Sequence, residues 1–476
     1  MSAPEKIERL VANPLTRVLL GVLTRRDSRG ECLMGKIMAT YRKPGLAPSE
    51  KLKYALAHAL IDWTRRKAGA SVTQVRDKVF AHPARFRALI NTARGVHEFG
   101  LRKPQVFSAP LMVVWNFTQA CNFQCKHCYQ DARGRLDDEL TLSEKIRVLD
   151  ELVANDVPLL AFSGGEPLLS KDFWPVLEET RKRGFHISIA TNGSLLTKEV
   201  VERLARNNVN YLEVSIDSVD PEKHDSFRGA PGYWKKAVEG LRNVVENGKI
   251  RAGLASTITA FNFDELEDLI QFSKALGVGS FYAFNFVPTG RGKNITDLDL
   301  TPRMREEMLQ ILQKHLDEHK IAIITSAPQL GRFCNQHFTD VRMFSTGHYG
   351  AAPGTTTIVL AKYIGGCGAG RCMMAIQPDG DITPCVFMPL VIGNVRKDRI
   401  RRLWRESEVL WKLRDRDILA GHCGKCDWRL FCGGCRARAY GYFGDVTEAD
   451  PGCIFNLEAW QRLQKCSPRE MAVPCR

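Results

Sequence analysis

Three cysteines stand at C-x3-C-x2-C spacing in Cys121-Asn122-Phe123-Gln124-Cys125-Lys126-His127-Cys128, directly after the apolar run 111–117. Three thiolates on one short loop can hold three irons of a cubane [4Fe-4S] cluster and leave the fourth iron without a protein ligand. That open iron is a place where chemistry can happen. The triad alone also suits a zinc site or a piece of a ferredoxin, so its neighbours must decide.

Residues 110–330 alternate short apolar runs with amphipathic stretches. The pattern predicts strands at 112–117, 159–163, 186–190, 211–216, 252–258 and 280–287, with helices at 142–154, 172–183, 198–207, 233–247 and 263–276 between them. Six strands alternating with helices call for a parallel sheet wrapped by helices. In barrels of this kind the chemistry sits at the C-terminal strand ends, and the cysteine loop follows the first strand. Ser163-Gly164-Gly165-Glu166-Pro167 follows the second, Thr191-Asn192-Gly193 the third, Ser215-Ile216-Asp217 the fourth and Phe286-Val287-Pro288 the sixth. The paired glycines allow close backbone approach, and Glu166 offers an anionic acceptor for an ammonium group. Asn192, Ser215 and Arg228 fit either a ligand contact or a cap or turn.

Cysteines return near the C-terminus as Cys367, Cys372 and Cys385, then Cys423-x2-Cys426-x5-Cys432-x2-Cys435, then Cys453. These eight can fully ligate two more [4Fe-4S] clusters, and with the triad they account for 11 of the 15 cysteines. Four-cysteine zinc sites use the same close pairs. Cys32, Cys334, Cys466 and Cys475 remain. Leftover thiols are more often buried and idle than catalytic; Cys334, in an irregular bridge, is the one with a candidate role as hydrogen donor or ligand.

The chain has 476 residues, 44% hydrophobic and 25% charged, enough for two or three globular domains. It has no secretory signal and no apolar run of 18 residues, and its cysteines cluster in pairs. Together these favour metal ligation in a reducing, cytoplasmic and anaerobic or protected setting over disulfides. Residues 1–110 carry 21 Lys and Arg against 8 Asp and Glu, a net of +13 out of the chain's +15. This arm reads as helical, with Val18, Leu19, Val22 and Leu23 on one stripe, a second helix over 50–67, and a third over 73–92 broken near Pro83. On the third, Arg76, Lys78, Arg85, Arg87 and Arg94 sit among apolar residues. A basic amphipathic arm is either a helical cap with a solvated face or a contact for anionic lipid or an acidic partner. No nucleic-acid module is present, so nucleic acid is not an expected partner.

The triad with Gly164, Gly165 and Glu166 resembles the radical S-adenosylmethionine (radical SAM) superfamily. The later cysteines, with the Gly380-x4-Cys385 element, resemble its SPASM domain, though two residues separate Cys432 from Cys435 where three are commoner. The resemblance implies an α/β fold: a partial (β/α)6 barrel at 106–325, a basic helical extension at 1–105, a bridge at 326–357 and a SPASM domain at 358–476. It implies that the cluster on Cys121, Cys125 and Cys128 reduces SAM to a 5′-deoxyadenosyl radical that abstracts hydrogen from substrate. Gly164, Gly165 and Glu166 would receive the SAM amino group, Asn192 and Ser215 its ribose and carboxylate, Arg228 its carboxylate, and His127 and Val287 its adenine. Cys367, Cys372, Cys385 and Cys435 would hold one auxiliary cluster, and Cys423, Cys426, Cys432 and Cys453 the other. A low-potential donor such as ferredoxin or flavodoxin is the implied partner. The implied substrates are a peptide or protein, or a tetrapyrrole side chain whose carboxylates would suit Arg371, Arg436 and Arg438. The arm adds the alternative of a membrane lipid modified at the bilayer surface. A cluster-bearing electron carrier without catalysis is the non-enzyme alternative.

Overall fold

β1 (Met112–Asn116) is buried along its whole length, as a central strand with a neighbour on either side requires. A computed structural model describes residues 8–337 and 362–465 apart from 10, 68 and 319, together with the backbone of two short strands, 345–346 and 349–350. Among the described residues a short helix at Pro48–Lys53, four longer ones and a π-helical segment, Gln74–Phe80, precede β1; the longer ones are α1 (Pro14–Thr24), α2 (Leu33–Thr40), α3 (Ala55–Lys67) and α4 (Pro83–Phe99). Then helices alternate with strands: α5 (Leu142–Ala154), β2 (Leu159–Ser163), α6 (Phe173–Lys182), β3 (His186–Thr191), α7 (Lys198–Arg206) and β4 (Val209–Ser215). After α8 (Pro221–Arg228) and α9 (Tyr233–Asn247) come β5 (Arg251–Ile258), α10 (Leu266–Ala275), β6 (Ser280–Asn285), α11 (Pro302–Asp317), β7 (Ala322–Thr325) and α12 (Gln329–His337). β1 to β7 pair in sequence order and in parallel. This is the wrapped parallel sheet the alternation predicts, with a seventh strand.

The termini of these elements follow from local chemistry. Thr141 and Glu144 form a capping box at the start of α5, and Thr197 caps α7 through its hydroxyl. Leu149, Leu152, Leu160, Phe162, Ile187, Leu212 and Leu254 are completely buried between sheet and helices. Burial on this scale, at about 25 cal/mol per Å² of apolar surface, is what holds the barrel wall together.

The C-terminal segment does not stand apart from this sheet. β8 (Ser345–Thr346) and β9 (Tyr349–Gly350) form their own ribbon. β10 (Met373–Ile376) then pairs parallel with β1, Met112 opposite Met373, and carries β11 (Asp381–Thr383) and β12 (Gly393–Asn394) at the sheet's edge. One ten-stranded sheet therefore joins the two cysteine-bearing regions.

The arm docks on the core through arginines, and here the expectation of one solvated basic face is corrected. Arg87 and Arg94 of α4 are buried. Arg87 donates to the Arg183 and Gly184 carbonyls at 2.8 and 2.7 Å. Arg94 pairs with Asp156 at 2.7 Å beside Arg26 at 2.5 Å. Arg87 and Arg94 serve as the attachment of this helix, so the face they occupy is closed to lipid. Among the described residues no helix is long and apolar enough to cross a membrane.

Candidate active site

The cysteine loop lies over the end of β1, held on three sides. On one side the Gln124 and Lys126 N–H groups donate to the Arg228 and Phe227 carbonyls at the end of α8, at 3.2 and 2.9 Å. On another, the Gly165 and Glu166 N–H groups donate to the Thr118 and Ala120 carbonyls, both at 2.8 Å. Glycine is required at both positions. Gly164 has φ +116°, with space for a Cβ closed by β1 backbone at 2.9 Å, and a Cβ on Gly165 would run into the Ala120 carbonyl oxygen. The close approach the paired glycines promise is thus made to the cysteine loop's own backbone. On the third side Arg291 donates to the Cys125 and Ala132 carbonyls, each at 2.8 Å, and pairs with Asp131 at 3.0 Å. Nothing about Arg291 marks it in the sequence; the signal available was Gly290 before it, which has φ +55° and packs against the Cys128 carbonyl.

Burial pushes the Cys121 thiol up to about 11 and the Cys125 thiol to about 12. Thiols held so high are ligands that need a metal charge to ionise. Among the described residues no three His, Cys, Asp or Glu groups converge closely enough for one metal ion. A cubane carries its cysteines on separate corners, so the three thiols of this loop can each hold one iron.

Glu166 is completely buried. It accepts from the Thr191 hydroxyl and the Asn192 N–H, all at 2.9 Å, and burial outweighs these bonds to raise its carboxyl to about 7. An arriving ammonium would supply the charge that site lacks. Asn192 is occupied: its amide donates to Asn122 at 2.8 Å and accepts from Ser194, tying β3 to the cysteine loop. Ser215 faces the cavity and makes no side-chain hydrogen bond among the described residues.

Arg228 is buried and lines the cavity. It pairs with Asp217 at 2.7 Å and sits 3.9 Å from the Cys125 sulfur, which makes it a charge held against the cluster loop. Burial would raise Asp217, but the facing Arg228 guanidinium, helped by the Thr257 N–H, outweighs it and holds it below the usual carboxylate range. His127 stacks on Phe227 at 4.5 Å, and Phe227 on Phe261 at 4.6 Å. Desolvation lowers the imidazole to about 4, so His127 is a neutral flat ring. Val287 is buried two residues beyond β6 and lines the same cavity.

That cavity, about 210 Å³, runs from the three cysteines into the barrel lumen, where Tyr211, Glu213, Tyr282, Phe284 and Phe387 line it. Matches to known proteins follow the same outline. Residues 115–275 match the radical SAM superfamily, and residues 367–427 match the SPASM iron-sulfur cluster-binding domain. The AdoMet-dependent heme synthase of Methanosarcina barkeri is 33% identical over 349 residues, 73% of this chain and 97% of that protein. The chain belongs to the radical SAM superfamily. It is similar also to the pre-heme d1 synthase of Dinoroseobacter shibae, 30% identical over 72% of this chain and 85% of that one. The mycofactocin maturase MftC of Mycolicibacterium smegmatis is 28% identical over 74% and 84% of the two chains. In fold it is similar to Streptococcus suis SuiB bound to the precursor peptide SuiA, with a TM-score of 0.63, 16% identity, and 89% and 93% of the two chains covered.

In this radical SAM enzyme burial raises the Cys385 and Cys435 thiols, with Cys367 near enough to add to both, and burial raises Cys432, Cys453 and Cys426, with Cys423 adding to each. Cys372 packs beside Gly368, one residue from Cys367. Arg371, Arg436 and Arg438 are fully buried, which corrects their expected role toward substrate carboxylates. Arg371 donates to the Ile364 and Gly365 carbonyls at 2.8 and 3.1 Å, Arg436 to the Val446 carbonyl at 3.0 Å, and Arg438 to Asp450 at 2.7 and 2.9 Å. Cys334 is buried in α12 with its thiol donating to Gln313, away from the cavity. Cys466 and Cys475 lie outside the described residues.

Proposed function

We propose that Cys121, Cys125 and Cys128 hold a [4Fe-4S] cluster with SAM on its open iron, and that substrate projects a C–H group into the lumen beneath. The observation that carries this reading is the single cavity that joins the triad, Ser215 and Val287 to the barrel interior. When bound, cluster and SAM supply the radical chemistry that abstracts hydrogen. The chain's own contribution is orientation and exclusion of water. Glu166 accepts the SAM ammonium, Ser215 offers a free hydroxyl, and His127 and Val287 form an apolar wall. Gly164, Gly165, Asn192 and Arg228 act by fixing the loops against each other. The eight SPASM cysteines would hold two auxiliary clusters, and a low-potential ferredoxin or flavodoxin would supply electrons.

The lumen also bears on the substrate. Its walls include Val114, Ala161, Ile324, Val386 and Phe387. An apolar group of a larger molecule suits them: a peptide or protein side chain, or the side chain of a tetrapyrrole. The relatives support both, since those named above are a heme synthase, a pre-heme d1 synthase and a mycofactocin maturase. A lipid chain is the second reading, favoured by the same aliphatic wall, and its setting is a cytoplasmic enzyme held at a membrane surface by its arm. The test is 5′-deoxyadenosine formation by reconstituted enzyme offered peptide, porphyrin and lipid fractions separately. Stimulation by peptide or porphyrin supports the first reading, and stimulation by lipid alone overturns it in favour of the second.

A further inference from the structure

Two helices of the arm expose apolar stripes, and one of them buries a carboxylate. In α3 the one buried residue is Asp62. It accepts from the Tyr41 hydroxyl at 2.5 Å and from Arg65 at 2.8 Å, with Arg42 closing the set. His58, on the same side, lies against the Tyr41 ring. The opposite stripe, Leu56, Leu60 and Trp63, is 90%, 54% and 51% exposed. In α1 the one buried residue is Thr24, while Leu15, Val18, Leu19 and Val22, at i, i+3, i+4 and i+7, are 78%, 63%, 52% and 58% exposed. A water-facing helix ordinarily buries such a stripe and exposes its charges. Scattered exposed leucines need no explanation, but two complete apolar stripes do, the one on α3 standing opposite a buried carboxylate.

We infer that the exposed faces of α1 and α3 dock the enzyme on a bilayer containing anionic phospholipid. The choice of occupant rests on charge. Residues 1–110 hold a net of +13, and Lys51, Arg66 and Lys67, at the two ends of the α3 stripe, make no ion pair among the described residues. Trp63 stands next to that basic end, the place an amphipathic ring takes at the headgroup level. Aliphatic rows bordered by cations and short of acids match lipid tails beneath phosphate headgroups. The buried arginines of α4 leave this surface intact, since they serve the core. The inference deepens the membrane-peripheral setting given above and is independent of which substrate is modified.

The test is flotation of reconstituted full-length enzyme with vesicles of phosphatidylcholine alone or with phosphatidylglycerol added, at low and physiological salt. The wild type is expected to float with the mixed vesicles, and V18E/V22E and L56E/L60E each to lose at least tenfold in bound fraction. SAM cleavage in detergent-free buffer is to be measured on the same preparations and should not change, since neither pair touches the active site; that separates loss of docking from loss of the catalytic reading. K51E/K67E, which leaves the apolar rows intact, should weaken flotation and flatten its salt dependence. Equal binding of wild type and all variants, no binding to anionic vesicles at low salt, or a soluble dimer that L56E/L60E dissolves without any flotation would each overturn the proposal.

Discussion

Arg291 gathers the backbone of the cysteine loop with three contacts from outside it, two carbonyls and one carboxylate. A residue in that position orients the ligands without touching iron, and such supporting groups are commonly worth about 10–100-fold in metal affinity or activity. Arg291→Ala should therefore reconstitute with a deficit of one cluster's iron and lose SAM cleavage by about that factor, while iron in the SPASM region is retained; iron and sulfide assays with electron paramagnetic resonance distinguish the two. Glu166→Gln removes the anion offered to the SAM ammonium. Charge-assisted bonds contribute about 1.5–3 kcal/mol, so SAM affinity should fall roughly tenfold to a hundredfold with the cluster intact, as equilibrium dialysis would report. Glu213 makes a different prediction. Burial in the lumen raises its carboxyl to about 8 from an ordinary 4.5. The folded chain then keeps a proton that the unfolded chain releases, and stability from this group is lost as pH rises between those values. Glu213→Gln should be more stable relative to wild type at pH 8 than at pH 5 in thermal melts. Glu166, Ser215 and the triad could be picked out from residue type and spacing. Arg291 and Glu213 could not, because each acquires its role only from what the fold brings to it.

Among elements, the β2 to α6 turn is the most exacting. With the Gly165 Cβ position filled by the Ala120 carbonyl, Gly165→Ala must push the cysteine loop away. A shift of that kind costs about 1–3 kcal/mol, and the account predicts a protein that melts lower and holds less iron at the triad. The neighbouring elements were legible to different degrees. Periodicity located the helices at Leu142–Ala154 and Tyr233–Asn247 to the residue, since each carries a full apolar stripe. It gave no hint of α8, whose sequence PEKHDSFR has no such stripe and which exists because Asp220 caps it and Phe227 anchors it. For α1 it revealed an apolar stripe without saying which way it points, and for α3 only a helix. What turns Asp62 of α3 inward is Tyr41 and Arg42 from the end of α2, with Arg65 one turn along α3 itself.

At the scale of the whole molecule, the sheet makes the SPASM region an extension of the barrel. β10 takes its place beside β1 from some 260 residues away, so the strand that ends at the cysteine loop is flanked directly by the strand that leads toward Cys385. No periodicity carries information over that distance; six of the sheet's ten strands were legible, and the partner of β1 was not. The arrangement sets both cysteine regions on one rigid frame, as electron exchange between fixed clusters requires. The central claim is that this frame serves radical chemistry on SAM, and the most direct measurement is 5′-deoxyadenosine formed by protein reconstituted anaerobically with iron and sulfide, then given SAM and dithionite. Wild type should form it, and the Cys121/Cys125/Cys128 triple alanine variant should not while still holding roughly eight of about twelve irons. Product from the triple variant, or none from wild type carrying a full iron complement and supplied with peptide, porphyrin and lipid, would contradict the account and leave an electron carrier in its place.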